Sequence, residues 1–204
     1  KYDGDQANGG GGIYSQASGN MILENLILKN NTSFFNGQNG NGSALSINNT
    51  INSDPVSLIN VLAYNNGPNQ NTFHSYGGKT NIINSTFANN GTVAFSIKDR
   101  CCDQGESQLR ILNSIIFGGI EKILQNNTND QSKYTIVNSY LSQRDTINVF
   151  GQNLLGYSTD HLELIPNNNN LLAPEFIDPE NGNYGLTNYS PGIGYGKTSY
   201  EMGT

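Results

Sequence analysis

The stretch Ile82-Ile83-Asn84-Ser85-Thr86-Phe87 contains the pattern that decides the fold: an aliphatic residue, a spacer, an asparagine and, three positions later, another apolar residue. The pattern occurs five times, at Leu23/Asn25/Leu28, Leu58/Asn60/Ala63, Ile82/Asn84/Phe87, Ile111/Asn113/Ile116 and Ile136/Asn138/Leu141. Successive asparagines lie 35, 24, 29 and 25 residues apart. Repeats of this length are typical of solenoids rather than of ordinary globular domains.

The spacing inside each repeat predicts two short strands joined by a corner. Residues two apart share a face of a strand, so the aliphatic residue and the asparagine are expected to point the same way. The apolar residue at plus three has the opposite parity, which is expected where the chain turns at the asparagine. The runs are too short for helices, and they favour Ile, Leu, Val, Tyr and Thr. We therefore predict an all-β solenoid of stacked coils.

The repeated asparagines are expected to form a structural ladder; they are Asn25, Asn60, Asn84, Asn113 and Asn138. Asparagine tolerates left-handed turn geometry, and its amide can bond to the equivalent amide one coil above and below. At an inward corner these bonds would satisfy polar groups that otherwise cost about 1–3 kcal/mol each. Stacking, not catalysis, is the predicted role of these side chains.

Length and composition favour one elongated domain. Of the 204 residues 34 are Asn and 24 are Gly, and only 13% are charged. Coils of about 25 residues with strands about 4.8 Å apart give roughly six coils. We assign residues 1–150 to the coils and residues 151–204, where prolines recur, to the final coils and an irregular C-terminal cap. An uncapped first coil would expose a strand edge, so more chain or a partner is expected before residue 1.

The charge balance limits the classes of partner. A formal net charge of −6 and a sequence pI near 4.7 weigh against nucleic acid and anionic membrane surfaces. No apolar stretch approaches the roughly 20 residues of a membrane span. A glycan or another surface protein is the expected partner, because tyrosines such as Tyr64, Tyr76, Tyr140 and Tyr157 offer flat faces for stacking on sugars.

Cys101 and Cys102 are adjacent in the sequence. Such a pair can close a strained ring, stay reduced or bridge to another chain. In an exported protein the oxidised pair would staple a turn, and a ligand-facing platform or a redox role are the alternatives. No metal site is predicted, because structural zinc takes four ligands and no further Cys or His lies nearby.

One cluster of charged residues is the candidate for catalysis: Lys98, Asp99, Arg100, Asp103 and Glu106. A uronate lyase would need a base such as Lys or Arg, and a glycoside hydrolase would need two carboxylates about 5–9 Å apart. The interpretation that we favour is a solvated loop whose charges neutralise one another.

No cofactor is expected. Asp3 and Asp5 alternate as in a calcium loop, but the segment lacks the Glu and the spacing of an EF-hand, so a flexible polar lead-in is favoured over the alternative of a Ca²⁺ site. His74 and His161 are far apart in the sequence, which weighs against a histidine metal site.

Several segments carry a family resemblance: Gly9-Gly10-Gly11-Gly12-Ile13-Tyr14, the repeats beginning at Asn84 and Asn113, Ala173-Pro174-Glu175-Phe176-Ile177-Asp178-Pro179, Asn183-Tyr184-Gly185-Leu186 and Ser190-Pro191-Gly192-Ile193-Gly194-Tyr195-Gly196. They resemble bacterial right-handed parallel β-helix surface proteins. The tail is similar to the "DY-x-L … SPAIDAG" ending of choice-of-anchor and polymorphic-outer-membrane-protein-like families, although Gly194 stands where those families usually carry an Asp. The resemblance implies a right-handed parallel β-helix, secreted or displayed on the outer surface of a bacterium of the Bacteroidetes type. It implies no single activity.

We therefore expect a non-catalytic extracellular β-helix that acts as a structural, adhesive or glycan-contacting component of a larger bacterial surface protein or assembly. The alternative function is that of a polysaccharide lyase or glycoside hydrolase with a site near Lys98–Glu106.

Overall fold

The computed structural model describes residues 11–17, 20–35, 38–39, 42–49, 54–67, 71–91, 93–98, 108–117, 122–126, 133–137, 139–142, 147–149, 163–165, 174–190 and 193. In these ranges the chain is built of short strands and turns. None of their residues forms a helix with the length and apolar character that a bilayer crossing requires.

The strands follow one another in six coils. Coil 1 contains β1 (Ile13–Ala17), β2 (Met21–Glu24) and β3 (Ile27–Lys29), followed by a small hairpin of β4 (Phe34–Phe35) and β5 (Gln38–Asn39). Coil 2 contains β6 (Leu45–Asn49), β7 (Val56–Ile59) and β8 (Leu62–Tyr64), and coil 3 contains β9 (Asn71–Tyr76), β10 (Lys79–Ile83) and β11 (Thr86–Ala88). Coil 4 contains β12 (Val93–Lys98), β13 (Gln108–Leu112) and β14 (Ile115–Phe117), coil 5 contains β15 (Lys122–Asn126), β16 (Lys133–Val137) and β17 (Tyr140–Ser142), and coil 6 contains β18 (Ile147–Val149) and β19 (Glu163–Ile165).

Equivalent strands of successive coils form three parallel sheets. Sheet A has the order β1-β6-β9-β12-β15-β18, sheet B the order β2-β7-β10-β13-β16, and sheet C the order β3-β8-β11-β14-β17-β19. Each strand pairs with its counterparts in the coils before and after it, in parallel. The predicted all-β parallel β-helix is confirmed.

The five repeats stack in register. The aliphatic positions form the column Leu23, Leu58, Ile82, Ile111 and Ile136, and the apolar positions at plus three form the column Leu28, Ala63, Phe87, Ile116 and Leu141. The Phe87 ring meets the Phe95 ring edge-on, with the centroids 4.8 Å apart. Full burial of such a side chain contributes about 1.5–3 kcal/mol, so these columns hold neighbouring coils together.

The corner asparagines face solvent, which corrects the predicted inward orientation. Asn25, Asn60, Asn84 and Asn113 have φ values of 56°, 53°, 49° and 49°. The first three are exposed and Asn113 is half-buried. At each corner the last residue of the strand and the left-handed asparagine both point outward, so the next inward side chain comes one residue later than it would in a continuous strand. The expected contact between amides is present at the surface, where Asn60 Nδ2 donates to Asn25 Oδ1 at 2.6 Å. Asn138 lies outside the described residues.

A buried serine ladder occupies the inward position directly after the corner. Ser85 Oγ accepts a hydrogen bond from the Val61 amide, Ser114 Oγ from the Ser85 amide and Ser139 Oγ from the Ser114 amide, each at 3.1 Å. Ser85 and Ser114 also donate to the carbonyl two residues earlier at 2.8 Å. The serine hydroxyls thus accept hydrogen bonds from backbone amides that the turn at the corner would otherwise leave unpaired.

A buried asparagine ladder lies at the other end of sheet C and was not predicted. Asn66 Oδ1 accepts from the amide and from Nδ2 of Asn31 at 3.1 and 2.9 Å, and Asn90 Oδ1 accepts from the same two groups of Asn66 at 3.1 and 2.9 Å. Each of these asparagines follows an exposed left-handed Asn, namely Asn30, Asn65 or Asn89.

The described C-terminal residues form an antiparallel hairpin of β20 (Phe176–Asp178) and β21 (Asn183–Leu186), joined by a 3-10 turn at Pro179–Asn181. This C-terminal hairpin packs on the outer face of sheet C: the Tyr184 ring centroid lies 4.8 Å from that of Tyr64. The hairpin therefore covers the side of the stack, whereas the cap predicted for residues 151–204 was expected over its last coil. Apart from β19 and residues 174–190 and 193, that segment lies outside the described residues.

Candidate functional site

The charged cluster predicted beside the cysteines cannot be located in the structure. Lys98 is the last residue of β12, and the residues that follow it lie outside the described ranges: Asp99, Arg100, Cys101, Cys102, Asp103 and Glu106. Their catalytic and disulfide roles stay predictions, as does the calcium-like role of Asp3 and Asp5. In the part of the chain that the structure describes, no three His, Cys, Asp or Glu side chains are grouped to hold a metal ion.

The outer face of sheet A carries two neighbouring polar rows. Leu45, Phe73 and Phe95 belong to the core, so the alternate residues of the same strands point outward. In register, row one of these outward positions is Tyr14, Ser46, His74, Ser96, Gln125 and Asn148, and row two is Gln16, Asn48, Tyr76 and Lys98. Thr72 precedes His74 by two residues on β9 and is added to these rows, although the equivalent residues of coils 2 and 4 are Ala44 and Ala94. We call this set of residues the polar face.

The outer faces of the other two sheets are different. Sheet B carries a polar row of Ser57, Asn81 and Arg110 beside an apolar row of Ile59, Ile83 and Leu112. On sheet C the outward row of Tyr64, Ala88 and Phe117 is apolar or aromatic and lies against the C-terminal hairpin. Two neighbouring polar rows are therefore a feature of sheet A and not of the repeat as such.

The exposure of the side chains decreases from row two to row one of the polar face. In row two Gln16 is exposed, and Asn48 and Tyr76 are half-buried. In row one Tyr14 of coil 1 is half-buried, whereas Ser46, His74 and Ser96 of coils 2 to 4 are 1%, 2% and 0% exposed. The face is thus open at row two and at coil 1, and closed toward the beginnings of β9 and β12.

The chemistry of the polar face is that of neutral hydrogen bonding. Its described side chains carry hydroxyl, amide, imidazole and phenol groups, which can each meet the hydroxyl groups of a polyol. None of these described side chains is an Asp or Glu, so the described part of the face supplies no carboxylate pair of the kind that hydrolyses glycosides.

Of the tyrosines predicted to stack on sugars, Tyr76 lies half-buried on the polar face. Tyr64 is buried against Tyr184 of the C-terminal hairpin, so its ring is committed to internal packing. The side chains of Tyr140 and Tyr157 lie outside the description. Tyr14 was not singled out from the sequence, but it lies on the same face as Tyr76.

Reasoning from the sequence missed His74 as part of a site. The signal that could have found it is a polar-x-polar pair in the first strand of each of the first four coils: Tyr14/Gln16, Ser46/Asn48, His74/Tyr76 and Ser96/Lys98. These pairs are recognisable only once the coils have been aligned by their core residues.

Comparison of the chain with protein-family models, with curated proteins and with solved structures finds no match. The geometry of the polar face and the composition of the chain are therefore the basis of the functional proposal.

Proposed function

We propose that the chain is a non-catalytic, extracellular β-helix that contacts glycans through the polar face, as one component of a larger bacterial surface protein or assembly. One observation carries the proposal: the paired positions of row one hold a polar residue from coil 1 to coil 6, and those of row two hold a polar residue from coil 1 to coil 4. The outer faces of sheets B and C, built on the same core, do not share this property.

Saccharides suit such a face for two physical reasons. Their hydroxyl groups both donate and accept hydrogen bonds, as do the serine, threonine and tyrosine hydroxyls of the polar face. Their ring faces are apolar enough to pack on Tyr14 and Tyr76, whose phenol groups keep a polar edge in contact with water. Parallel strands also repeat similar groups about every 4.8 Å along the stack, which suits an extended polymer.

Glycan binding with and without the Tyr76 ring tests the proposal. We expect the wild-type protein to bind at least one neutral polysaccharide on a glycan array, and Tyr76→Ala to weaken that binding by about tenfold, as loss of a central aromatic contact does. The matched control is Tyr189→Ala, because Tyr189 is 90% exposed and lies outside the polar face. A wild-type protein that binds no glycan, or an equal loss in both variants, would contradict the proposal.

The extracellular location is the second part of the proposal. It is supported by the low content of charged residues in a strand-and-turn solenoid and by the resemblance of the tail to surface proteins. Surface labelling of intact source cells, followed by detection of the chain with an antibody, is expected to give a signal without lysis. A signal that requires lysis would contradict this part.

A polysaccharide lyase or glycoside hydrolase is the second candidate function. It is favoured by the register, which sets Lys98 beside Tyr76 in row two, with residues 99–106 directly following. The test is turnover of neutral and uronate polysaccharides, followed by new reducing ends and by unsaturated uronate absorbance. Turnover that disappears in Lys98→Ala would replace the binding proposal, and binding without turnover would support it.

A further inference from the structure

Coil 1 ends the stack with an open apolar surface. Among the described residues β1, β2 and β3 are the terminal strands of sheets A, B and C, so each has one free edge. Ile22 and Ile27, which point outward on either side of the corner, are 57% and 64% exposed. The counterparts of the inward residues of coil 1 in coil 2 are 0–2% exposed, whereas four inward residues of coil 1 itself are only half-buried: Ile13, Met21, Leu23 and Leu26. Free strand edges around exposed apolar side chains promote pairing with a further strand.

The buried asparagine ladder gives this end a direction. Asn66 Oδ1 and Asn90 Oδ1 each accept from the backbone amide and from Nδ2 of the ladder residue one coil earlier. Asn31 in coil 1 donates both of these groups to Asn66, and its own Oδ1 accepts from no group of the described residues. The place beyond Asn31 therefore fits a residue that donates twice, as a ladder asparagine does.

A second copy of the chain does not supply this residue. A copy stacked end to end through coil 1 would bring an Asn31 whose amide and Nδ2 already donate to its own Asn66. A copy stacked through coil 6 would bring Asn167, which has the ladder position two residues after β19. Pro166 precedes it where coils 1 to 3 have a left-handed Asn, and a proline ring excludes that conformation.

The topology identifies what does fit. The sheet C strand of one coil leads into the sheet A strand of the next, as β8 leads into β9 and β11 into β12. The coil that stacks on coil 1 in the same way is thus the one that leads into β1. Coils 1 to 3 also share a pattern in which an aliphatic residue is followed by Asn at plus two, an apolar residue at plus five and the ladder Asn at plus eight: Leu23/Asn25/Leu28/Asn31, Leu58/Asn60/Ala63/Asn66 and Ile82/Asn84/Phe87/Asn90.

We infer that the open end of coil 1 is the contact on which a preceding β-helix coil of the same polypeptide stacks in parallel. Apolar residues of that coil cover Leu23 and Leu28, and its ladder asparagine donates its amide and its Nδ2 to Asn31 Oδ1. The strands of that coil precede Lys1. The inference rests on the part of the proposed function that makes the chain a component of a larger surface protein, and it names the surface that joins the two.

The first test gives the chain such a coil. A copy of residues 69–92, the sequence of coil 3, replaces residues 1–10 directly before Gly11, which sets the copied Asn90 over Asn31. Hydrogen exchange of the amides in β1, β2 and β3 is expected to slow at least tenfold, and the melting temperature to rise, because coil 1 becomes an interior coil. Exchange in these strands as fast as in the original chain would overturn the inference.

The matched control has the same length and the same ladder residue but no apolar column. It carries Phe73→Ser, Ile82→Ser and Phe87→Ser in the added copy and is expected to leave exchange in coil 1 unchanged. If the serine version protects coil 1 equally well, the gain comes from any added chain and not from stacking, and the inference fails.

The second test isolates the ladder contact in the extended chain. Asn90→Ala in the added copy should remove part of the rise in melting temperature, and the same change should have no further effect in an Asn31→Ala background. Losses that simply add would overturn the role of Asn31 Oδ1 as the group that recognises the preceding coil.

The third test concerns the protein as its source makes it. Mass spectrometry of the isolated protein is expected to find peptides that precede Lys1 and carry the four-residue pattern of coils 1 to 3. A mature protein that starts at Lys1 would overturn the inference, as would a dimer of this chain in sedimentation that Ile22→Lys dissociates, because a second copy would then occupy the surface. None of these measurements uses a glycan, so their failure leaves glycan binding by the polar face to its own test.

Discussion

The outer faces of sheet A and sheet C lie on one core and have opposite characters. The inward rows of both are apolar, with Leu45, Phe73 and Phe95 in sheet A and Phe87 and Ile116 in sheet C. Outward, sheet A carries hydroxyl, amide and imidazole groups, whereas sheet C carries Tyr64, Ala88 and Phe117 and is covered by the C-terminal hairpin.

The difference lies in the residues that stacking leaves free to vary. In a solenoid the inward residues are constrained by stacking, so the outward residues are where coils and sheets can diverge. Sheet C uses its outward residues to bind another part of the same chain. In our proposal sheet A is the face that meets another molecule, and variants of the two faces should separate stability from binding.

Removal of the aromatic anchor of the hairpin should have the largest effect on stability. Tyr184 is buried, and its ring centroid lies 4.8 Å from that of Tyr64 and 5.0 Å from that of Phe176. Tyr184→Ala is expected to cost about 3–5 kcal/mol in urea unfolding, as large-to-small changes of buried aromatics do. Tyr189→Ala, at an exposed site, should cost less than about 0.5 kcal/mol. Comparable losses in the two variants would mean that the hairpin does not stabilise sheet C.

A smaller effect is expected where the hairpin turns against sheet C. Gly182 has φ 82°, and a Cβ atom there would lie against the Tyr64 hydroxyl. Gly182→Ala should therefore cost about 1–3 kcal/mol, from left-handed strain and from displacement of a buried ring. The control is Gly185→Ala, which does not require a positive φ and lies at an exposed site. Equal melting temperatures for the two variants would show that the turn tolerates a side chain.

The stacking of the coils could be predicted from the sequence because it depends on local spacing. Leu58 and Ala63 keep the same distance from Asn60 that Ile82 and Phe87 keep from Asn84, and the structure sets each pair in register. Counting alternate residues along the strand gave the wrong orientation for the asparagine side chain. It treats the strand as continuing through the corner, whereas a left-handed residue inserts an extra outward position and turns the amide to solvent.

The polar face was harder to predict for a different physical reason. The loops between the first strand and the corner differ in length, so Tyr14, Ser46, His74 and Ser96 lie 11, 14, 10 and 17 residues before their corner asparagines. No fixed period connects them along the chain. Only the hydrogen-bonded register of sheet A brings them into one row.

The smallest expected effect separates two asparagines that border sheet C. Asn84 and Asn89 are both exposed and left-handed, with φ 49° and 48°, but only Asn89 reaches the hairpin, where its Nδ2 donates to the Tyr184 hydroxyl at 3.3 Å. Glycine keeps the left-handed conformation at both sites, so Asn84→Gly should change the free energy of unfolding by about 0.5 kcal/mol. Asn89→Gly should cost about 1 kcal/mol more, because it also removes the hydrogen bond to the hairpin. In a Tyr184→Phe background, which lacks the acceptor, the two glycine variants should become equal. A difference that persists in that background would assign the role of Asn89 to the corner and not to its contact with the hairpin.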